Sequence, residues 1–319
     1  MIRTLSLNPA VDRTATIARF AVDAVNRVSA TRLDAGGKGI NVSKAIGCMG
    51  GKSVAYGFLG GAAGRFIRSS LDGQGIRHDF VEVDGETRTN LKIVDPVLGT
   101  HTDVNESGPR ATEEALADLE ARLFGEAGTE DIFVFSGSVC PGVEPGVYAS
   151  WIRRARSLGA RTVLDADGEA LALGVAAGPT IVKPNLDELE RLVGSPLTKA
   201  GHTDQGAAIA AARGLLSSGA RLAVVSLGPE GALFVDRDSA IMAHGIPVKA
   251  LSTVGAGDSV VAALCLGLER GASLERLVTP AIAAGTAAAA TAGSEAFDPS
   301  SLAAYEKLVT YEILQGRPE

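Results

Sequence analysis

"DIFVFSGSVCPGVEPGVYASWIRRARSLGARTVLDA", residues 131–166, sets the architecture. Its first piece, "DIFVFSGS", is a continuous apolar run that ends in small polar residues. "GVYASWIRRARSLG" follows with helical spacing and a glycine stop, and "RTVLDA" is a second apolar run of strand length. Strand, helix and strand in that order make a βαβ unit, and strands without polar alternation are buried on both faces. The rhythm continues outward. Upstream, "IRTLSL" (2–7) and "SVAYGFLG" (53–60) read as strands, and "GINVSKAIGCMGG" (39–51) and "AGRFIRSSLDGQG" (63–75) as helices. "ATEEALADLEARLFG" (111–125) puts Leu116, Leu119 and Leu123 on one helical stripe. Downstream come strand "TIVKPN" (180–185), helices "LDELERLVG" (186–194) and "DQGAAIAAARGLLSSG" (204–219), and strand "RLAVVSLG" (221–228). The expected fold class is α/β, a mainly parallel sheet covered by helices on both faces.

Two stretches, about 11–34 and 79–105, break the rhythm. They hold short polar-rich strand candidates: "RTATIARF", "VNRVSATRL", "DFVEVD", "TRTNLKIVD" and "HTDVNE". They read as a small second sheet inserted into one domain spanning 1–319, either a lid over the strand ends, where open α/β sheets bind ligands, or plain edge hairpins.

The totals narrow the function. With 30 basic and 37 acidic side chains the net charge is −7, which disfavours nucleic-acid and membrane-surface partners. Aromatic residues make up only 4%, so the core is expected to rest on Ala, Val, Leu and Ile. Cys48, Cys140 and Cys265 are odd in number and far apart, which argues against a disulfide framework and for a reducing cytoplasm. The Ala-rich "PAIAAGTAAAATAG" is short of a membrane span, and "MIRTLSLNPA" lacks the apolar core of a signal peptide.

Several motifs can carry chemistry. "GCMGGKS" imitates a P-loop, but Ile46 stands where its first glycine belongs, and the segment runs from helix to strand, so it is rejected. In "DAGGKGINVSKAI" (34–46), Gly36, Gly37 and Gly39 allow close backbone approach before a helix start, Lys38 adds a cation, and Asn41 can donate and accept. That suits a sugar hydroxyl or a phosphate; a plain glycine turn is the alternative. Asp12 in "NPAVDRT" is a carboxylate for sugar hydroxyls or a turn initiator. Asn185-x-x-Glu188 is a capping pair, a Mg²⁺ site through Glu188, or both, with Lys183 near nucleotide phosphates. "VSLGPEGALFV" (225–235) is a hairpin turn or a backbone surface for a nucleotide. In "STVGAGDSVVAA" (252–263), Gly255, Ala256 and Gly257 lead into a helix whose free N–H groups would make an anion nest. Asp258 there is an ordinary first-turn acid or a base beside the nest.

Taken together these motifs resemble the ribokinase-like, or PfkB-type, carbohydrate kinases. "AGGKGINVSKAIGCMGGKSVAYGFLGG" is similar to the family's N-terminal signature, "STVGAGDSVVAAL" to its C-terminal one, and "KPNLDELE" to its Asn-x-x-Glu motif, in order over nearly the whole chain. "LNPAVD", "GGKGINV", "SGSVCPG" and "VSLGPEGAL" resemble the hexose-phosphate branch, and Lys38 with "RTNLK…TDVNESG" leans toward its 1-phosphofructokinase members.

The resemblance implies a ribokinase-like three-layer α/β/α fold with a β-sheet lid, often a homodimer through that lid. It implies ATP-dependent phosphorylation of a ketohexose phosphate, foremost fructose 1-phosphate, with tagatose 6-phosphate or fructose 6-phosphate as alternatives. A non-catalytic sugar-phosphate sensor would need loss of the base or the glycines. Asp258 would be the base, and the amides of Gly255, Ala256, Gly257 and Asp258 the anion hole. Asp12, Gly37, Lys38 and Asn41 would bind the sugar, and Arg88, Asn90, Ser136 and Arg27 its phosphate. Lys183, Asn185, Ser226, Gly228 and Gly231 would line the ATP site, and Glu188 would help hold Mg²⁺. Some relatives bind a monovalent cation such as K⁺. The matching carbonyls here would be Ser252, Val254 and Gly293, although "TAGSE" departs from relatives with Asn before the glycine.

Overall fold

The computed structural model describes residues 1–252, 254–293 and 297–315. The chain runs β1 (Ile2–Ser6), β2 (Ala10–Thr16), β3 (Ala30–Gly36), α1 (Lys38–Cys48), β4 (Ser53–Leu59), α2 (Gly61–Gly73), β5 (Arg77–Glu82), β6 (Arg88–Asp95), β7 (Thr100–Val104), α3 (Glu113–Phe124), β8 (Ile132–Ser136), α4 (Val147–Ser157), β9 (Arg161–Asp165), α5 (Gly168–Ala176), β10 (Ile181–Val182) and α6 (Leu186–Val193). After the short hairpin β11 (Thr198–Lys199) and β12 (His202–Thr203) come α7 (Gln205–Ser217), β13 (Leu222–Ser226), β14 (Gly231–Val235), β15 (Ala240–His244), α8 (Ala256–Glu269), α9 (Leu274–Ala289), α10 (Pro299–Glu306) and β16 (Tyr311–Gln315).

The main sheet has ten strands in the order β16-β15-β14-β13-β10-β9-β8-β1-β4-β5. The strands from β13 to β5 are parallel; β14, β15 and β16 add an antiparallel edge. Apolar runs make this possible because each strand feeds two cores. In β8, Phe133 and Phe135 enter the layer of α3 to α7, while Ile132 and Val134 enter the layer of α1, α8 and α9. The low aromatic content is unevenly spent. Phe124, Phe133, Phe135, Tyr148 and Trp151 form one aromatic cluster in the first layer. The second layer is built mainly from Ala, Val, Leu and Ile as the composition suggests, with Phe234 and Phe297 as buried aromatics and Tyr305 packed against it. The three cysteines are unpaired, and among the described residues no helix is long and apolar enough to cross a membrane.

A separate four-stranded sheet, β3-β2-β6-β7, stands over the strand ends. It differs from the expected insert at 79–84 and at 17–29. "DFVEVD" (79–84) falls largely in β5, which pairs parallel with β4 as the edge of the main sheet. Its alternation is not solvent patterning: Phe80 packs against Ile67 and Leu71 of α2, and Val81 turns to the opposite core. Residues 17–29 are a connection without a strand.

Candidate active site

β1 has β4 on one side and β8 on the other. The winding direction changes there, and such a switch leaves a crevice outside the carboxyl ends of the strands. Asp165 ends β9, Lys183 follows β10, Ser226 ends β13, and Asp258 lies in the first turn of α8. All four line a cleft of about 510 Å³, together with Lys38 and Asn41 from the start of α1.

The floor is electrostatically tight. Lys38 Nζ donates to Asp165 Oδ1 at 2.8 Å, and Lys183 Nζ pairs with Asp165 Oδ2 at 3.2 Å. Burial works to raise the Asp165 pKa, but the Lys183 and Lys38 ammoniums outweigh it and hold the carboxyl below its ordinary range. Burial likewise opposes the charge on Lys38, yet Asp165 and Asp258 keep its pKa above the usual lysine value. Asp258 accepts a hydrogen bond on Oδ2 from Asn41 Nδ2 at 2.8 Å. Burial, and then the charge of Asp165, push its pKa up to about 6 against Lys38, Asn41 and Lys183.

The start of α8 is a donor site. Gly255 caps it with φ 82°, a conformation glycine adopts at no steric cost. The first backbone bond back into the cap runs from Ser259 N to Gly255 O at 2.9 Å, so the amides of Ala256, Gly257 and Asp258 have no partner within the helix. Gly255, Gly257 and Asp258 face the cleft, whereas the Ala256 side chain packs against the core.

The lid supplies the roof through strand alternation. Asp12 of β2 is flanked by Asp34 of β3 and Asn90 of β6. Two residues along, Thr14 is flanked by Arg32 and Lys92, and Lys92 pairs with Asp103 of β7. Side chains two apart share a face, and Asp12, Thr14, Asp34, Asn90, Lys92 and Asp103 all line the cleft. Asn90 Nδ2 donates to Asp12 Oδ1 at 3.1 Å; burial raises the Asp12 pKa, and Asn90, Lys44 and Arg88 pull it down. Asp12 therefore reaches the cleft from a lid strand, not from a turn after β1. Gly36 lets it in, since a Cβ there would strike the Asp12 carboxylate.

An adjoining pocket of about 310 Å³ shares Gly37, Lys38, Arg88 and Asn90 and adds Ser136. Ser136 Oγ donates to Leu5 O at 3.1 Å. The Arg88 guanidinium donates to Asn8 O at 2.9 Å and to Glu106 O at 3.2 Å, tying the 105–108 loop to the end of β1.

At α6, Asn185 Oδ1 accepts from Glu188 N at 2.7 Å and Glu188 Oε2 accepts from Asn185 N at 2.8 Å, a complete capping box. Both side chains also line the cleft. Glu188 Oε1 accepts no bond among the described residues and is the oxygen left for a hydrated cation. Ser252, Val254 and Gly293 also line the cleft; Ser294 and Glu295 of "TAGSE", and Thr253, lie outside the described residues.

Three expected site residues are not brought in. Arg27 is exposed in the connection between β2 and β3. That connection leaves from Thr16, four residues beyond Asp12, or roughly 13 Å at strand rise. Gly228, in the turn after β13, and Gly231, the first residue of β14, lie outside the cleft lining. Gly231 has its own reason to lack a side chain, because a Cβ would strike Ala243 O of β15. Conversely, Asp165, Asp34, Lys92 and Asp103 escaped the sequence reading. Period-two spacing from Asp12 and Asn90, and an acid at the end of an apolar strand, were the available signals.

A buried acid at a free helix N-terminus, paired lysines and a polar roof over a parallel sheet define a small-molecule phosphotransferase. The chain belongs to the pfkB family of carbohydrate kinases, whose model matches residues 5–300. It is 38% identical over 317 residues to the 1-phosphofructokinase of Rhodobacter capsulatus, covering 98% of each chain. To the tagatose-6-phosphate kinase of Staphylococcus epidermidis it is 35% identical over 288 residues, covering 89% of this chain and 91% of that one. The crystal structure of phosphofructokinase-2 from Escherichia coli in complex with substrates and products matches with a TM-score of 0.90 at 35% identity, covering 96% of this chain and 98% of that one. The protein is a sugar kinase with the ribokinase-like fold.

Proposed function

We propose that the chain transfers the γ-phosphoryl group of ATP to a ketohexose phosphate, foremost to the C6 hydroxyl of fructose 1-phosphate, giving fructose 1,6-bisphosphate and ADP. The observation that carries this is the place of Asp258. It lies between a sugar-type wall (Asp12, Asn41, Asn90) and a wall with Lys183, Asn185 and Ser226 suited to nucleotide phosphates. Asp258 Oδ2 is held by Asn41, so Oδ1 takes the hydroxyl proton as the oxygen attacks γ-phosphorus and the bond to the β–γ bridging oxygen breaks. The amides at the start of α8 stabilise the charge that spreads over the moving group. Arg88 and Ser136 meet the substrate's existing phosphate; the guanidinium exchanges its carbonyl partners for phosphate oxygens, a stronger charge-assisted pairing.

The donor set fits Mg²⁺, which is content with one or two carboxylate oxygens, water and substrate phosphates. Glu188 would hold it through Oε1, and the ion would neutralise phosphate charge when bound with the nucleotide. A monovalent cation, if used, would sit beside the carbonyls of Ser252, Val254 and Gly293, which line the cleft.

Tagatose 6-phosphate and fructose 6-phosphate are the second reading. A ketofuranose carries a CH₂O group on each side of its ring, so turning it over exchanges the phosphorylated end for the acceptor end. A coupled assay of ADP release with all three sugar phosphates decides, with kcat/KM expected to be highest for fructose 1-phosphate. Tight sugar-phosphate binding without ADP release from any of them would replace the kinase reading with a sensor.

The lid's outer face carries the apolar rung Leu33 and Leu91 around Arg13, with Val104 beyond. Leu33 is 49% and Val104 52% exposed. This stripe fits a second copy of the chain, and the double variant Leu33→Glu/Val104→Glu is expected to sediment as a monomer where the parent sediments as a dimer.

A further inference from the structure

Among the described residues, Asp165 is a fully enclosed group in the floor that the phosphoryl-transfer chemistry leaves without a task. It is 1% exposed and receives ammonium groups on both oxygens, from Lys38 at the start of α1 and Lys183 after β10. These lysines belong to different walls. Lys38 lines both the main cleft and the pocket that holds Arg88 and Ser136. Lys183 leans on the start of α8, since a Cβ on Gly257 would lie 3.3 Å from its Nζ. Two ammoniums beside the positive end of a helix repel one another, and low-dielectric surroundings strengthen the repulsion. A single carboxylate between them converts that repulsion into a fixed geometry.

We propose that Asp165 is a positioning residue that anchors Lys38 and Lys183 to one buried point, so that a single carboxylate sets the cationic groups of both the sugar side and the nucleotide side of the cleft. The inference rests on the kinase reading above for what the two sides bind. Asp165 Oδ1 accepts a hydrogen bond from Lys38, and Oδ2 is ion-paired with Lys183 at 3.2 Å without a hydrogen bond. Its side chain acts only through the lysines. Loss of the carboxylate lets Lys38, which is 35% exposed, swing to solvent and leaves the 5% exposed Lys183 without its counterion. Anchoring at a shared point also makes the two walls interdependent: disturbing one lysine moves the carboxylate that holds the other.

The test is a cross-site cycle on the full-length protein, with folding checked by cooperative thermal unfolding. Asp165→Asn is expected to raise KM for both fructose 1-phosphate and ATP, each roughly tenfold, as orienting partners of ligand-contacting groups typically do. Lys38→Met, a change on the sugar side, is expected to weaken ATP binding several-fold by titration calorimetry in the parent and to leave it unchanged in the Asp165→Asn background. An equal effect in both backgrounds, or none in the parent, overturns the proposal. So does an Asp165→Asn protein that needs more Mg²⁺ but keeps both KM values, because that marks a metal ligand. If Asp165→Asn does not fold, the reciprocal pair decides: Lys183→Met must raise KM for the sugar phosphate as Lys38→Met weakens ATP, and absence of either cross effect overturns the anchor. If the parent releases no ADP with any sugar phosphate, the kinase reading fails, while ATP titration of Lys38→Met still reads the anchor by itself.

Discussion

The floor of the cleft and its roof are built from opposite kinds of strand. Every residue of β8 is buried, and every residue of β7 is exposed. Floor groups are buried: Asp165, 1% exposed, is paired with two lysines, and Asp258, 6% exposed, accepts from Asn41. Roof groups are held mostly by one neighbour on the next strand, as Asp12 is by Asn90. Charge placed in a sealed, pre-set floor acts strongly on a reacting centre. Charge on a half-exposed sheet acts through contact with a substrate that must come and go. Under the proposed mechanism proton transfer belongs to Asp258 in the floor and sugar contact to the roof, so Asp258 variants should act on kcat and roof variants on KM, while Asp165 acts on KM through its two lysines.

The sharpest way to break this division is Asp258→Asn. It should lower kcat by roughly 10²-fold or more with ATP affinity nearly unchanged. The substitution keeps an acceptor for Asn41 and removes only the charge. Near-normal turnover would remove Asp258 as base. The same variant has a stability signature. The folded pKa of Asp258, about 6, lies above its ordinary 3.8. Its contribution to stability is therefore fully present below about 3.8 and is lost as pH rises through about 6. At pH 8 the parent carries an ionised carboxylate its surroundings disfavour, and Asp258→Asn should be more stable by about 1–3 kcal/mol. The gap should close by pH 4 in thermal melts. A less stable variant at pH 8 would mean that the floor favours the ionised acid.

The pH profile of the parent is the next test. The proposed base works ionised, so kcat/KM should fall as pH drops through about 6. A profile flat from pH 8 to 5 would contradict the burial and the Asp165 charge that raise this pKa.

Arg88→Ala probes the roof. The guanidinium now ties Glu106 and Asn8, and its proposed partner is the substrate's phosphate. KM for the sugar phosphate should rise roughly 10- to 100-fold, with KM for ATP and kcat changing far less. A large loss of kcat with unchanged KM would place Arg88 with the floor.

How far this division was visible beforehand depends on the kind of order each part has. β8, β9 and β13 are continuous apolar runs because both faces are covered, so the parallel sheet was legible directly. Asp258, Lys38 and Glu188 were legible because each stands at a helix start, where the pattern announces free donors. Asp165 was not, because "RTVLDA" reads as an ordinary strand, and only the fold brings Lys38 and Lys183 to its end. The roof was half legible. Period-two alternation identified strands, but it cannot separate a lid from a covered edge, and "DFVEVD" went to the wrong sheet. Its acids alternate with Phe80 and Val81, which enter two different cores, and Asp79 pairs with Arg122 of α3. Arg27, which only the resemblance implied, lies exposed on the 17–29 connection, outside the cleft lining of this single chain.

The smallest expected effect concerns the boundary of the floor. The turn after β13 matches a nucleotide-binding pattern in sequence but lies outside the cleft lining. Gly228 there has φ 60° and no atom within 4 Å of where a Cβ would stand. Gly228→Ala thus meets no clash and pays only for a left-handed backbone, about 1–2 kcal/mol of stability. KM for ATP should not move, because Ser226, at the end of the strand, already marks the cleft's edge. A several-fold rise in KM for ATP with little loss of stability would extend the nucleotide wall onto the β13–β14 turn. Recognition would then be shared between the roof and this open margin of the floor.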